Sequence, residues 1–264
     1  MQQPIRRGLK INTQKVLITA GASGIGAAIA GAFINSGAKV AVCDIDSKAI
    51  DNFKQSYPSA LTIEADVSDP DMVSRVAART LVELGGLDVL VNNAGIAGPT
   101  ARVEDVSLEE WQHVLAVNLT APFLFLRALA SHFKSQQSGC IINISSTSTR
   151  HAIPNRVAYV ASKFGLEGLS ASLARELGPF GVRCNVISPG FVDNERGRKI
   201  VARLAETRGE SAAAIEAEVL NFISLRRKVG MPEIGGVCLF LASEQASAIT
   251  GQIIPVDGNV EWEA

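Results

Sequence analysis

The side chains that indicate chemistry most directly are a tyrosine and a lysine four residues apart. Tyr159 and Lys163 lie in an amphipathic segment, Val157–Leu177, that predicts a helix. The spacing places both side chains on one helix face, one turn apart. A phenol has an ordinary pKa near ~10, and a neighbouring ammonium group lowers that pKa by favouring the phenolate. The pair therefore predicts a general acid/base near neutral pH, although a packed tyrosine beside a solvated lysine has the same spacing.

Two further polar side chains are candidates for the same site. Ser146 precedes Tyr159 by 13 residues and follows a predicted strand, and in α/β sheets the C-terminal strand ends face the ligand crevice. Its hydroxyl can hydrogen-bond a substrate oxygen and share its developing charge. Ser145 is the alternative, but neighbouring strand residues point in opposite directions and the spacing favours Ser146. Asn118 falls late in a predicted helix, where a C-cap is its other interpretation.

A glycine-rich loop follows the first predicted strand and opens a helix. The loop reads Thr19-Ala20-Gly21-Ala22-Ser23-Gly24-Ile25-Gly26. Glycines let a phosphate approach the backbone, and the helix N-terminus offers free N–H groups and a partial positive charge. A tight strand–helix turn has a similar sequence, but the position between strand and helix favours a dinucleotide pyrophosphate site.

An acidic residue near the end of the second predicted strand bears on the choice of cofactor. Asp44 lies 18 residues after Gly26, where a carboxylate accepts hydrogen bonds from the adenosine ribose and repels a 2′-phosphate. Neither Ser23 nor Cys43 carries a positive charge, so the sequence favours NAD(H) over NADP(H). The alternative for Asp44 is an N-cap of the following helix, a role that Asp46 can also fill.

Short apolar runs alternate with amphipathic segments along the chain. The runs are mostly continuous Val/Ile/Leu stretches, which are typical of parallel strands buried on both faces. This alternation predicts a Rossmann-type, doubly wound α/β fold with one domain over residues 1–264. The predicted strands are residues 15–19, 39–43, 61–64, 87–91, 139–145, 182–188 and 252–256.

Residues 194–228 contain no strand pattern and are charged and Ala-rich. An insertion after the C-terminal end of a strand predicts a helical substrate lid. Its first part is rich in basic side chains, and we hypothesise that Arg196 or Arg198 anchors an anionic group of the substrate or of the cofactor diphosphate. The alternative is a lid helix with a solvated basic face. Its basic residues are Arg196, Arg198, Lys199, Arg203 and Arg208, and its apolar anchors are Ile200, Val201 and Leu204.

Composition narrows the class of protein. Of the 264 residues, 47% are hydrophobic and 19% charged, with a net charge of −1. These values predict a folded protein with no field that attracts nucleic acid or membrane. The cysteines show no metal-ligand spacing and predict reduced thiols, no metal and a cytoplasmic location. Neither a signal peptide after Arg6, Arg7 and Lys10 nor an apolar run of ~20 residues is evident.

Together these motifs resemble those of the classical short-chain dehydrogenase/reductase family. The glycine loop is similar to the family's Thr-Gly-x-x-x-Gly-x-Gly form, with Ala20 at the position after threonine. The family's Asn-Asn-Ala-Gly motif matches residues 92–95, and Ser146, Tyr159 and Lys163 match its Ser…Tyr-x-x-x-Lys signature. The matches run in order from residue 15 to about 257. The resemblance implies a seven-stranded parallel sheet, usually in a homotetramer.

The resemblance also implies roles for individual residues. The implied catalytic residues are Asn118, Ser146, Tyr159 and Lys163, with Asn118 at a kink that holds a water between Lys163 and solvent. Asn194 stands where the family often has a threonine that contacts the nicotinamide carboxamide. The implied cofactor-binding residues are Gly21, Ser23, Gly24, Ile25, Gly26, Asp44, Ile45, Asp66, Val67, Asn93, Ala94, Gly95, Tyr159, Lys163, Pro189, Gly190, Val192 and Asn194.

Three functions fit these features. The first is an NAD-dependent oxidoreductase that interconverts a secondary alcohol and a ketone on a small polar or anionic substrate. The second is a 3-oxoacyl-(acyl-carrier-protein) reductase, a class that usually prefers NADPH. The third is a nucleotide-sensing regulator or scaffold, which the complete set of catalytic residues disfavours; the absence of Gly-x-Ser-x-Gly disfavours a hydrolase. His151 is a candidate for lining the substrate pocket, or lies in a solvated loop.

Surplus apolar residues on two predicted helices indicate a subunit interface, because only one face of each helix can cover the sheet. The expected assembly is a homotetramer or homodimer. The apolar residues, which occupy more than one face of these helices, include Phe123, Phe125, Leu126, Leu166, Leu169 and Leu173.

Overall fold

The computed structural model describes residues 13–261, so Arg6, Arg7 and Lys10 lie outside the described residues. Its centre is a sheet of seven parallel strands in the order β3-β2-β1-β4-β5-β6-β7. All seven predicted strands form, which confirms the doubly wound α/β fold. The strands are β1 (Lys15–Thr19), β2 (Lys39–Asp44), β3 (Leu61–Glu64), β4 (Val89–Asn92), β5 (Gly139–Ile144), β6 (Val182–Pro189) and β7 (Ile253–Val256).

Helices cover both faces of this sheet. Along β1, Val16 and Ile18 belong to one buried cluster and Leu17 to the other, so the strand is apolar on both sides. The first cluster includes α1, α2 and α9, and the second includes α3, α5 and α6. The helices are α1 (Gly24–Asn35), α2 (Ser47–Ser56), α3 (Pro70–Leu84), α4 (Leu108–Leu115), α5 (Ala121–Gln136), α6 (Val157–Leu177), α7 (Glu195–Arg208), α8 (Ala212–Asn221) and α9 (Met231–Ala242).

The start of β4 differs from the sequence prediction, which began this strand at Leu87. Side chains of α5 occupy the backbone groups of that residue. The Leu87 N–H donates to His132 Nε2 at 3.0 Å, and its carbonyl accepts from Gln136 Nε2 at 2.9 Å. The ladder therefore begins at Val89, and His132 is a packing residue.

The longest helical run joins α4, a π-helical turn (Ala116–Thr120) and α5. This run, Leu108–Gln136, is long and apolar enough to cross a membrane by length and composition alone, which inspection of the sequence did not anticipate. Within the fold, 44% of its apolar window is buried. Phe125, Leu129 and Phe133 are fully buried against the sheet, so core packing accounts for part of its apolar character.

The apolar surplus on α5 and α6 is smaller than the sequence indicates. Phe125, Leu126 and Leu166 are buried core residues, so they lie on the helix faces that pack inwards. Leu169 and Leu173 are partly buried against the same core. Other apolar side chains on these helices reach the surface, namely Phe123 at 48% exposure, Val157 at 38% and Phe164 at 50%.

The four cysteines are free and buried, as expected. Burial raises the pKa of the Cys43 thiol to about 12 and that of the Cys140 thiol to about 11. These thiols are therefore protonated core residues.

A buried amide pair links the middle of the sheet to α6. Asn92 and Asn143 are register partners on β4 and β5, and Asn92 Nδ2 donates to Asn143 Oδ1 at 2.7 Å. Asn143 Nδ2 in turn donates to Ser170 Oγ at 2.8 Å. Each amide therefore depends on the other for a hydrogen-bond partner in a dry environment.

We predict that Asn143→Ala lowers the free energy of unfolding by about 1–3 kcal/mol, the cost of leaving a buried polar group unsatisfied. Urea denaturation followed by circular dichroism measures this loss. The matched control is Asn52→Ala on the exposed face of α2, which should be neutral or slightly stabilising. Equal unfolding free energies for the two variants would contradict the proposed dependence.

Candidate active site

Two loops are fastened together at the C-terminal edge of the sheet. The hydroxyl oxygen of Thr19, at the end of β1, accepts the N–H groups of Asn93 and Ala94 at 3.0 and 2.9 Å. Asn93 Nδ2 donates back to the carbonyls of Thr19 and Ala20, each at 3.0 Å. The Asn-Asn-Ala-Gly segment therefore holds the glycine loop in place.

The glycine loop leaves the N-terminus of α1 open. Gly24 has φ +53°, and open space surrounds its Cβ position, whereas a Cβ at Gly26 would collide with the Ala20 carbonyl. The N-cap Ser23 makes no side-chain capping bond, and no acidic residue lies in the first turn. The N–H groups of this turn are thus available to a phosphate, which is the fit that a dinucleotide requires. Ala20, at the position after Thr19, adopts φ +48°.

Asp44 is buried at the end of β2 and faces the glycine loop. One carboxylate oxygen accepts the Ala22 N–H at 3.1 Å and the other accepts the Asp46 N–H at 3.2 Å. The N-cap of α2 is Asp46, which accepts from Lys48 and Ala49. Asp44 therefore does not cap the helix, and its remaining lone pairs are free for a ribose.

A cleft of about 440 Å³ lies beside this carboxylate. Ile45 and Asp66 line it, with Met72 of α3. Asp66 Oδ1 accepts both the N–H and the hydroxyl of Ser68, at 2.8 and 2.7 Å. Val67 is buried in the core. The cleft has apolar walls and a charged edge that includes Arg75 and Arg79.

Asn118 lies in the π-helical turn between α4 and α5, so the chain continues as helix and the C-cap interpretation is wrong. The fully buried side chain donates to the Ile96 carbonyl and to Ser162 Oγ, both at 3.0 Å, and accepts the Ile96 N–H at 2.8 Å. Ser162 Oγ donates to the Tyr159 carbonyl at 2.7 Å. Asn118 therefore connects the loop after β4 to the helix that carries Tyr159.

Lys163 extends from α6 to the end of β5. Its ammonium group is buried, donates to the Ile144 carbonyl at 2.8 Å, and lies 5.8 Å from the Tyr159 ring centroid. The pKa of Lys163 is lowered to about 7, first by burial and then by the charge of Arg196, while Glu167 opposes the change. A Cβ at Gly95 would lie 3.3 Å from Nζ, so glycine leaves room for the ammonium group.

The two candidate serines have different environments. Ser145 Oγ donates to Glu167 Oε1 at 2.7 Å, and Thr149 Oγ1 donates to the same oxygen at 2.8 Å. Ser146 Oγ accepts the Ser148 N–H at 3.2 Å, which leaves its hydroxyl proton for another acceptor. Glu167 was missed in the sequence, although its position four residues after Lys163 places it on the same face of α6.

The segment after β6 leads into two lid helices. The Gly190 N–H donates to the Val256 carbonyl at 3.0 Å, and Val192 forms a parallel bridge with Val229. Asn194 caps α7, because its Oδ1 accepts the Gly197 N–H at 2.8 Å. Its side-chain NH₂ group therefore remains as a donor for the nicotinamide carboxamide. Pro189 is the last residue of β6.

The two lid helices, α7 and α8, pack against each other. Their small shared core includes Val201 and Ile215, and Leu204 packs against it. The prediction for Val201 and Leu204 is confirmed; Ile200 is 39% exposed and does not anchor the helix. The Nε2 atom of His151 lies 3.1 Å from the carbonyl oxygen of Val260, so this side chain contacts the C-terminal segment.

Comparisons with known proteins identify the family. A family model described as enoyl-(acyl carrier protein) reductase matches residues 19–260. The chain is 34% identical over 253 residues to D-threitol dehydrogenase of Mycolicibacterium smegmatis, covering 94% of this chain and 93% of that protein. It is 36% identical to the 3-oxoacyl-(acyl-carrier-protein) reductase MabA of Mycobacterium avium over 94% of this chain and 90% of that protein.

A solved structure agrees with these matches. The structure of NAD+-bound xylitol dehydrogenase has a TM-score of 0.89 and 28% identity, covering 94% of this chain and 99% of the other. The chain belongs to the short-chain dehydrogenase/reductase family and is an oxidoreductase that acts on CH–OH groups with a nicotinamide cofactor.

We predict that Glu167→Gln lowers kcat more than it changes KM, because it weakens the charged acceptor that holds the Ser145 and Thr149 hydroxyls on either side of Ser146. Glu167→Ala should lower kcat further, by about tenfold or more, with unchanged NADH binding. Steady-state kinetics and NADH fluorescence titration measure both effects. Glu176→Gln, at an exposed position on the same helix, is the control. Equal kcat values for Glu167→Ala and the control would contradict the positioning role.

We predict that Lys163→Met stabilises the cofactor-free protein at low pH. Because the pKa of Lys163 falls from 10.5 to about 7 on folding, the unfolded chain binds more protons between these pH values. The charge therefore opposes folding fully below pH 7, and the penalty disappears as the pH rises towards 10.5. Each pKa unit corresponds to ~1.4 kcal/mol.

Thermal melts of the variant and wild type at several pH values measure the effect. The melting-temperature difference should favour the variant most at about pH 6 and shrink by about pH 9.5. The variant also loses the hydrogen bond to the Ile144 carbonyl, which shifts its melting temperature by a similar amount at every pH. The test is therefore how the melting-temperature difference changes with pH. Lys54→Met, exposed on α2, should show no such trend. A difference that is flat with pH would contradict the buried-charge account.

Proposed function

We propose that this protein is an NAD-dependent oxidoreductase that interconverts a secondary alcohol and a ketone on a small polar or anionic substrate. The observation that carries the proposal is the buried ammonium group of Lys163, 5.8 Å from the Tyr159 ring centroid. This charge lies at the same strand end as Ser146, beside the loop that the Asn-Asn-Ala-Gly motif fastens. We infer that Tyr159 supplies the proton acceptor and Ser146 the hydrogen-bond donor for one substrate oxygen.

In oxidation, Tyr159 accepts the proton of the substrate hydroxyl, and in reduction it returns the proton to the ketone oxygen. The Lys163 ammonium group lies 5.8 Å from the Tyr159 ring centroid, on the same helix face. Ser146 donates a hydrogen bond to the substrate oxygen and stabilises its developing charge. When bound, the nicotinamide group accepts or supplies the hydride. Asn118 keeps the π-helical turn fixed against α6, beside the backbone carbonyl of Tyr159.

The cofactor residues divide into three groups along the C-terminal sheet edge. The open N-terminus of α1 holds the diphosphate, the carboxylate at the end of β2 holds the adenosine ribose, and the segments after β4 and β6 flank the nicotinamide. In that order the groups are Gly21, Ser23, Gly24, Ile25 and Gly26; Asp44, Ile45, Asp66 and Val67; and Asn93, Ala94, Gly95, Pro189, Gly190, Val192 and Asn194.

The relatives support two substrate classes. The threitol and xylitol dehydrogenases favour a polyol-like alcohol, and the NAD+-bound neighbour agrees with the choice of NAD. The MabA relative supports the alternative, a 3-oxoacyl-(acyl-carrier-protein) reductase. The position of Asp44 favours the dehydrogenase, because a buried carboxylate beside the ribose site repels the 2′-phosphate of NADPH.

We also propose a cytoplasmic homotetramer or homodimer. The free, buried cysteines are consistent with a reducing compartment. Phe123 and Phe164 are about half exposed on α5 and α6, and exposed apolar patches of this kind are typical of subunit interfaces.

We predict that NAD+ gives a higher kcat/KM than NADP+ in a screen of alcohols, polyols and hydroxy acids that follows NADH absorbance. Asp44→Ala should narrow the preference by at least about tenfold, since it removes the repelling charge. Asp51→Ala, an exposed acid on α2, should leave the ratio unchanged. A wild-type preference for NADP+ would refute the NAD proposal and favour the carrier-protein reductase.

We predict that light scattering gives a mass of two or four times the 27.9 kDa chain. Phe164→Asp should shift the assembly towards smaller species, because it introduces a charge into an apolar interface. Val82→Asp, at an 81% exposed position on α3, should not. A wild-type monomer would contradict the assembly proposal.

A further inference from the structure

The basic residues of α7 fall into two groups by their partners. Arg198 pairs with Asp193 at 3.2 Å, Lys199 with Glu195 at 2.7 Å and Arg208 with Glu218 at 2.8 Å. Arg196 and Arg203 form no ion pair within residues 13–261. They are seven residues apart, which places them on the same side of the helix.

The unpaired side of α7 is directed towards the catalytic lysine. Arg196 Nη2 donates to the Gly95 carbonyl at 2.6 Å, and Gly95 is the residue whose missing Cβ leaves room for Lys163 Nζ. A backbone carbonyl occupies one donor of the five that a guanidinium carries. The other donors of Arg196 have no carboxylate to meet within the described chain.

A third guanidinium lies against the ring of the catalytic tyrosine. Arg156 precedes α6, is half-buried, and its Cζ lies 4.9 Å from the Tyr159 ring centroid. Its Nε is buried and has no hydrogen-bond partner among the described residues. Burial lowers the pKa of Arg156, and the positive charges of Arg196 and Arg203 lower it further, while Tyr159 opposes them. No carboxylate among the described residues has an effect on Arg156 comparable to these.

Arg196 and Arg203 are exposed, so solvent screens part of their repulsion. The buried Nε–H of Arg156 has no acceptor among the described residues, and such a group costs free energy. Guanidinium groups bind carboxylate and phosphate oxygens through paired hydrogen bonds. We propose that Arg156, Arg196 and Arg203 form a subsite for a carboxylate or phosphate group of the substrate, next to Tyr159. This inference rests on the proposed function and narrows its substrates to hydroxy acids or phosphorylated alcohols and the corresponding ketones.

The cofactor diphosphate is the competing ligand for these arginines. It has its own position at the open N-terminus of α1, whereas Arg156 lies against the ring of Tyr159. Loss of an arginine that bound the diphosphate would weaken NADH binding. Loss of an arginine that binds substrate would leave NADH binding unchanged.

The test uses Arg196→Ala, Arg203→Ala and Arg156→Gln, with Arg198→Ala as the matched control on the same helix. Thermal melts of the NADH complex are recorded with malonate or inorganic phosphate at constant ionic strength, maintained with sodium chloride. The wild type and control should be stabilised by at least one of the two anions. The half-saturating concentration should rise by about tenfold or more in Arg196→Ala, because charge-assisted hydrogen bonds are lost.

The comparison of the two anions distinguishes a carboxylate subsite from a phosphate subsite. NADH affinity, measured by fluorescence, should change by less than about twofold in Arg196→Ala. An equal loss of NADH affinity and anion stabilisation would assign the cluster to the cofactor and overturn the proposal. Equal loss of anion stabilisation in Arg198→Ala, or no anion effect in the wild type, would also overturn it and leave a solvated lid helix.

The substrate screen separates this inference from the function on which it rests. Turnover of neutral alcohols without any anion effect would contradict the subsite and support the oxidoreductase. Anion stabilisation that depends on Arg196, in a protein that oxidises no alcohol and reduces no ketone, would support the subsite and contradict the proposed function. If both are correct, Arg196→Ala raises KM for an acidic substrate by several-fold to a hundredfold and leaves neutral alcohols unchanged.

Discussion

Lys163 carries a positive charge into the interior of the protein, and the surrounding elements reflect the cost of holding it there. Burial lowers the pKa of this lysine to about 7, so the charged form needs compensation from its neighbours. The Ile144 carbonyl at the end of β5 supplies a hydrogen bond, and Glu167 supplies a negative charge one turn along α6. The same ammonium group lies 5.8 Å from the centroid of the Tyr159 ring. The buried ammonium group of Lys163 therefore contacts the end of β5 and lies close to both Glu167 of α6 and Tyr159.

Other features follow because the backbone must approach the Lys163 ammonium group closely, which leaves little room for side chains. Gly95 stands where a Cβ would approach the ammonium nitrogen. The π-helical turn buries Asn118, whose amide fastens the Gly95 loop to α6 through Ile96 and Ser162. The Thr19–Asn93 bonds then connect that loop to the glycine loop. The proposed proton-transfer and cofactor sites are therefore parts of one hydrogen-bonded framework.

Local patterns in the sequence were enough for the fold, because continuous apolar runs and a strand–loop–helix glycine motif depend on neighbouring residues only. Tyr159 and Lys163 were found for the same reason, since four-residue spacing on a helix fixes their proximity. Leu87 was misassigned because side chains from a distant helix satisfy its backbone groups. The sequence could not separate core residues such as Phe125 and Leu166 from the exposed Phe123, because periodicity does not reveal which of two apolar faces meets the sheet.

The roles of Glu167 and Arg156 could not be predicted from local patterns. Glu167 acts on hydroxyls 18 and 22 residues away in the chain. The unpaired state of Arg196, beside a paired Arg198, depends on which carboxylates the fold brings within reach. Ion pairing of this kind depends on tertiary geometry. A run of basic residues in the sequence therefore looks the same whether the folded protein pairs them with carboxylates or not.

The central claim is that Tyr159 transfers the proton, and the most direct measurement is turnover of Tyr159→Phe together with its NADH affinity. The phenylalanine keeps the ring and removes the hydroxyl. We predict NADH affinity within about twofold of wild type and a loss of turnover of ~10²–10⁴-fold on the substrate found by screening. A variant that retains more than about a tenth of wild-type kcat would show that another group transfers the proton.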